Sequence, residues 1–553
     1  MRTLLALLPG ALLLAAPLSA QCETDRLFAR GNQSGDGFGT SIHASKTRLV
    51  VSAPLVSEHG FSPVYVFERA ASGWRQTAKI APSDPLFGTP NPTFDEDGDW
   101  LVLGYPDYPR RGPARGRVYL FEHAAGTWSQ AKTLDIHVPR QTAPRFGSGV
   151  AIDGHTLVIS APELDDPGLP PVFVYELQSG HWSLDDELHE RFEDPGATFG
   201  GPLALDGDTL VVGHAPGGAS SRVGAVWIFE RTTLGWRETH HIVGSDSKPG
   251  DDFGSAIRLD GDTILVGATG NETDGPGVGA AYVLERRGVK WVETRLAPPS
   301  LRPELGFGVG LALDGDRAIV GSQSADARAS GEVHLYARTG DGWAWAAQLI
   351  GSPTMHEELS GSANALADDA AFVGAPADGP LQAHVPGAVL SYSLPLAATV
   401  TPYCSCAVNA PCGNTSNYGG CANETGSGAR LTACSDGSAS TGELVLFVDG
   451  FGRERWGRIR MAAIERALPF RRGRACVASG ARGPFRFPVS SARGTGAWIE
   501  RPRIVAATRR SQALLGAIVA GRTWSFQASY RDPLGPCNGA DKLTNALRIP
   551  IGP

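Results

Sequence analysis

The stretch "TFGGPLALDGDTLVVGHAP", Thr198 to Pro216, decides the fold. Leu203 and Leu205 alternate with small residues ahead of Asp206-Gly207, and Leu210, Val211 and Val212 follow. Apolar runs on either side of an Asp-Gly pair specify a β-hairpin, because glycine accepts the positive φ of a tight turn. The same wording returns as "GFGTSIHASKTRLVVSAP" from Gly37, "RFGSGVAIDGHTLVISAP" from Arg145, "DFGSAIRLDGDTILVGAT" from Asp252 and "GFGVGLALDGDRAIVGSQ" from Gly306. Two copies have drifted: "LFGTPNPTFDEDGDWLVLGYP" from Leu86, and "LSGSANALADDAAFVGAP" from Leu359, where Ser360 replaces the phenylalanine. The glycine after the aromatic position falls at Gly39, Gly88, Gly147, Gly200, Gly254, Gly308 and Gly361, at intervals of 49 to 59 residues. Seven copies at so regular a spacing define a repeat architecture.

Each copy continues into an aromatic-rich third strand, such as "VYVFER" at Val64, "RVYLFE" at Arg117, "AVWIFER" at Ala225 and "AAYVLER" at Ala280. A tryptophan follows, at Trp74, Trp128, Trp182, Trp236, Trp291 and Trp343, spaced by 54, 54, 54, 55 and 52 residues. A repeated aromatic fills a repeated slot, so these side chains are expected to pack between neighbouring sheets rather than stack on a ligand. Four-stranded units repeated radially make a β-propeller, which leaves no long open edge. The expected fold is therefore all-β, with a seven-bladed propeller over residues 21–398. The seventh unit ends at "AVLSYS", Ala388 to Ser393, with no tryptophan after it. "TDRLFAR", Thr24 to Arg30, is expected to supply its missing outer strand and close the ring.

Phe-Gly followed by Gly-Ala-Pro, present as Phe199-Gly200 with Gly213-His214-Ala215-Pro216 and as Gly374-Ala375-Pro376, resembles the FG-GAP repeat of integrin α-subunit propellers and of secreted bacterial proteins. The resemblance spans about residues 24 to 395. It implies a rigid binding disc and, in the integrin case, calcium held by an expanded acidic loop between the first two strands. Here that loop is a bare Asp-Gly turn at Asp153-Gly154, Asp206-Gly207, Asp260-Gly261 and Asp314-Gly315. "FDEDGDW", with Asp95, Asp97 and Asp99 alternating, is the one candidate for calcium, and it lacks the extra residues that wrap an ion with six to eight oxygens. No cofactor is therefore expected.

The start of the chain has the layout of a secretory signal peptide over residues 1–20: Arg2, an apolar block from Leu4 to Leu14, and "PLSA" before the expected cut. Cys22 lies close by, but the preceding "SAQ" lacks the leucine of a lipidation signal. No later segment has the run of apolar residues that a spanning helix needs. Seventy glycines and 40 prolines against 3 methionines suit short strands and tight turns. From Thr399 onward, 19 Arg and 1 Lys face 9 acidic residues, whereas the chain before it holds 29 basic and 48 acidic residues. That basic region can contact an anionic surface polymer, although a solvated arginine-rich face is the simpler reading. No Arg run alternates with aromatics, so a specific nucleic-acid platform is not expected.

Residues 399–553 read as a second, cysteine-rich domain. Its strand-like runs "GELVLFVDGF", "GPFRFPVS" and "RTWSFQASYRDP" suggest a β-sandwich. The succession "YCSC", "NETGSGARLTA", "TGELVLFVDG", "WSFQASYRDP" and "LTNALRI" resembles a C-terminal module of secreted planctomycete-type proteins. Cys404, Cys406, Cys412, Cys421, Cys434, Cys476 and Cys537 join Cys22 in a set of eight, and export favours disulfides over zinc for them. Eight cysteines allow 105 pairings. A bridge from Cys22 to Cys404 or Cys406 would staple the ring.

Nucleophile elbows, phosphate loops and zinc helices are absent from the sequence. "HEELS" at His356 has Ser360 where a metalloprotease helix needs its second histidine, and His240 and His241 fall on opposite faces of a strand. No catalytic, cofactor-binding or metal residue is assigned. The expected function is a secreted, monomeric binding or scaffold protein that engages a protein or glycan, as in adhesion. The alternative is a polysaccharide hydrolase or lyase with carboxylates at the channel mouth, and an axial cluster of Asp, Glu, His and Arg would speak for it.

Overall fold

The computed structural model describes residues 20–394 except 23, 32–35, 55–61, 72, 84–90, 109–114, 137–143, 163–171, 190–198, 215–222, 297–305, 324–330, 341, 351–360 and 377–386. Beyond 400 it describes strand segments only, between 401 and 551. The chain divides into two compact units, Gln21–Leu396 and a second consisting largely of Ala397–Pro553.

The first unit is a seven-bladed propeller. Its antiparallel sheets occupy residues 42–80, 93–134, 150–188, 203–242, 253–296, 310–350 and 364–393, here blades one to seven. The first strand of each blade is innermost and lies beside the first strands of its neighbours. Blade four shows how the sequence dictates this: Leu203–Asp206 pairs with Thr209–His214 across the Asp-Gly turn, with Asp206 opposite Thr209. Ala225–Thr232 and Gly235–Ile242 complete the sheet. Seven clusters of buried side chains fill the spaces between blades, each combining residues from adjacent sheets.

The expected closure is observed. Asp25–Leu27 pairs antiparallel with Ala388–Ser393, matching Asp25 to Ser391 and Leu27 to Val389, and becomes the outer strand of blade seven. Leu27 is 5% exposed and packs with Phe38, Phe67 and Phe372, residues of blades one and seven and of the segment entering blade one. The strand Ala20–Cys22 extends blade six instead, as a fifth, outermost strand.

The Phe-Gly residues and the glycine next to last in the second strand lock neighbouring blades at five junctions among the described residues. Phe38, Phe146, Phe253 and Phe307 are fully buried. The glycine after each adopts positive φ, 96° at Gly39 and 102° at Gly308. Its carbonyl oxygen lies against the glycine of the preceding blade's second strand, where a Cβ would collide with it: Gly104 with Gly147, Gly213 with Gly254, Gly267 with Gly308 and Gly321 with Gly361. The series ends on Gly374 of blade seven against Gly39, at the closing seam. The two glycines of the repeat thus serve one inter-blade contact.

The tryptophans pack between sheets as expected. Trp74 of blade one meets Phe372 of blade seven edge-on at 5.2 Å, and Trp182 of blade three meets Trp100 of blade two at 5.4 Å. Arg231, Arg286 and Arg338, next to last in the third strands of blades four, five and six, lie over Trp236, Trp291 and Trp343. Each also reaches back to the previous blade, pairing with Glu176 at 2.7 Å, Glu230 at 2.6 Å and Glu285 at 2.5 Å.

In the second unit, Thr401–Cys404, Asp541–Ile551, Arg522–Arg531, Trp456–Ala462 and Phe485–Arg486 lie side by side in one sheet, with Ser490–Ser491 also on Trp456–Ala462. Arg430–Ser435, Leu444–Asp449 and Trp498–Glu500 form a second, and Ile464–Phe470 with Gly473–Ala478 a hairpin. All these pairings are antiparallel. The unit is a β-structure; the sandwich arrangement is not supported, and the side chains of all eight cysteines lie outside the described residues.

Candidate functional site

The two ends of the propeller are built differently. At one end, turns of two residues, or three in blade one, join the first and second strands. At the other, the second and third strands are joined by 9 to 12 residues, and successive blades by 10 to 15. Long connections on a rigid scaffold are where recognition residues concentrate.

At the short-turn end the aspartates form a ladder around the axis. Asp97 accepts a hydrogen bond from the Gly154 N–H of the next blade at 2.8 Å. Asp153 accepts likewise from Gly207, Asp206 from Gly261 and Asp260 from Gly315. Burial raises the Asp153 pKa and the charges of Asp97, Asp206 and Asp95 push it further, against the Gly207 hydrogen bond. The ladder breaks at blade seven, where Ala367 replaces the aspartate and Asp368, at φ 42°, replaces the glycine. A shallow cleft of about 440 Å³ lies at that break, lined by Arg69, Asp314, Asp316, Arg317, Asp368 and Asp369.

The three aspartates considered for calcium diverge. Asp95 meets His43 Nδ1 at 2.9 Å and the Ile152 N–H at 2.8 Å. Asp97 turns to Gly154, and Asp99 is 71% exposed beside Arg48 and His123. Among the described residues, no group of three or more His, Cys, Asp or Glu is placed to hold a metal ion. His240 Nε2 approaches the Val289 carbonyl at 3.0 Å and His241 stacks on Trp227, on opposite faces as expected. His356 lies outside the described residues.

Two constellations went unread in the sequence. The first lies at the long-connection end of blade five. Asn271, fully buried, donates to Asp251 at 3.0 Å and to the Tyr282 hydroxyl at 3.3 Å; that hydroxyl donates to Asp246 at 2.5 Å. Arg295 ties Asp246 at 3.3 Å to Asp274 at 2.8 Å. Burial would raise the Asp246 pKa, but hydrogen bonds from Tyr282 and Thr273 and the charge of Arg295 hold it below the usual carboxylate range. These contacts fasten two connections, 243–252 and 269–279, to the blade beneath them.

The second lies on the axis. The position two residues before each turn aspartate holds His43, Asp95, Ala151, Ala204, Arg258, Ala312 and Ala365 in blades one to seven. Four are alanine; the three polar ones come from blades one and two and from blade five, across the ring. The charge of Arg258 acts on both Asp95 and His43. Burial alone would lower the His43 pKa, but the Asp95 charge and hydrogen bond, with Glu96 beyond, raise it above the ordinary 6.5. Burial lowers the Arg258 pKa while Asp95 opposes it, and a guanidinium stays charged throughout. Aligning the copies and reading this one column would have exposed the trio.

A raised histidine pKa stabilises the fold below the unfolded-state value and loses that contribution as pH rises through the folded-state value. The stability difference between wild type and His43→Gln should therefore be largest near pH 5.5 and shrink toward pH 9. Urea midpoints at the two pH values check this; a difference that grows with pH contradicts the assignment.

The family model of the FG-GAP repeat matches residues 236–284, which include the outer strand of blade four and most of blade five. No curated protein matches the chain. Among solved structures it is similar to PorZ, described as an essential bacterial surface component of the type-IX secretion system of Porphyromonas gingivalis, at 15% identity and a TM-score of 0.39. That alignment covers 94% of this chain and 60% of PorZ. It is also similar to a hypothetical selenium-binding protein from Sulfolobus tokodaii, at 11% identity and a TM-score of 0.38, covering 54% of this chain and 74% of that one. The chain thus folds as a seven-bladed β-propeller, one stretch of which matches the FG-GAP repeat.

Proposed function

We propose that this is a secreted, non-enzymatic binding or scaffold protein whose propeller presents its long-connection end to a protein or glycan, at or near a cell surface. The observation that carries the reading is the asymmetry of the disc: two- and three-residue turns at one end, connections of 9 to 15 residues at the other. The repeated residues serve to join blades, which leaves the connections free to vary. Where they are described, in blade five, they are wired into one fixed surface, so little ordering entropy opposes binding. No helix among the described residues is long and apolar enough to cross a membrane. In this reading the eight cysteines are paired as disulfides, and the basic second unit contacts an anionic surface polymer.

The test is a pull-down and glycan-array screen with residues 21–553, run with calcium and with chelator. The expected result is retention of a protein or glycan, equal in both conditions, with an unchanged Tm. Steady release of reducing ends or unsaturated sugars from a polysaccharide panel would instead support the hydrolase or lyase reading, which the axial His43, Asp95 and Arg258 favour. A Tm that drops sharply in chelator would overturn the metal-free reading.

A further inference from the structure

Charged side chains are costly inside a ring of packed sheets unless each finds a partner. Asp95 is satisfied twice over, by His43 on Oδ1 and by the Ile152 N–H on Oδ2. Arg258 is not. Its guanidinium makes one hydrogen bond among the described residues, from Nη1 to the carbonyl of its own neighbour Ile257 at 2.8 Å. A guanidinium carries five donors in a planar fork suited to an oxyanion. That fork stands on an innermost strand and is accessible to water.

We propose that the axial channel binds a small monovalent carboxylate between the Arg258 guanidinium and the His43 imidazole. Asp95 occupies Nδ1 of His43, so Nε2 is the nitrogen left to donate to the ligand. With the imidazole protonated, His43, Asp95 and Arg258 together carry one positive charge, which one carboxylate neutralises. The ladder aspartates lie two residues further along their strands, about 7 Å away at the rise of a β-strand. Their charge closes the short-turn end to anions and disfavours a dianion such as phosphate, so the ligand enters from the long-connection end. This site is separate from the partner surface of the connections, and either can exist without the other.

Isothermal titration of the full mature chain with sodium glucuronate, sodium acetate, inorganic phosphate and neutral glucose tests it. Glucuronate or acetate should bind, phosphate should bind at least tenfold more weakly, and glucose should not bind. Arg258→Gln should weaken carboxylate binding at least tenfold while keeping the wild-type Tm in the absence of ligand, and Arg258→Lys, which keeps the charge and loses the fork, should fall between. Should Arg258→Gln fail to fold, His43→Gln serves, and the carboxylate should then bind with a weaker pH dependence than in wild type. Absence of carboxylate binding to the wild type, or binding that Arg258→Gln and His43→Gln leave unchanged, overturns the proposal.

Discussion

Gly374→Ala should prevent the ring from closing. A Cβ at this position would collide with the Gly39 carbonyl oxygen, and the obstacle is backbone that is itself fixed by the Phe38 anchor. Overpacking a side-chain core costs about 1–3 kcal/mol because neighbours can rotate aside. Here none can, so a loss of about 3 kcal/mol or more is expected, read as a lowered urea midpoint or as insoluble protein. Gly207→Ala is the control. Gly207 has φ 54° and open space for 4 Å around the place a methyl would take, so alanine there meets only the left-handed backbone penalty. That penalty is about 1–2 kcal/mol. Equal effects at the two positions would mean that the inter-blade glycine contact is not what holds the seam.

Deleting residues 21–30 should have the second large effect. It removes the strand Asp25–Leu27, withdraws the buried Leu27 and Ala29, and leaves Ala388–Ser393 as an open edge. An unprotected apolar edge pairs with whatever strand it meets. The truncated chain is expected to form larger assemblies than the intact chain, as seen by light scattering, and a peptide spanning residues 21–31 supplied in excess should restore the size of the intact chain. A truncated chain that keeps the size and Tm of the intact chain would show that the closing strand is dispensable.

The features read correctly from the sequence were those that repeat locally. The Asp-Gly hairpins, the tryptophan spacing and the missing outer strand of blade seven each follow from residues close together in the chain, and blade count follows from their recurrence. The inter-blade glycine contact was hidden because Gly213 and Gly254 belong to different blades and carry no side chain to suggest what they touch. The axial trio was hidden for the opposite reason. His43, Asp95 and Arg258 are single departures from alanine in a column that is otherwise silent, and only the circular closure brings blade five to face blades one and two. In the blade-five network, Asn271 and Asp251 looked like ordinary loop residues, and only their burial distinguishes them.

The seam also orders events in time. Thr24 bonds to Ser391 across 367 positions of chain, through both its N–H and its hydroxyl. As the polypeptide emerges, the strand Asp25–Leu27 therefore has no partner until Ala388–Ser393 has followed it, and blades one to six can assemble meanwhile as an arc. Contacts this distant in sequence are slow to form. The last step of folding is thus a search by the strand Asp25–Leu27 for Ala388–Ser393, and anything that tethers the earlier strand sets the rate at which the ring is finished.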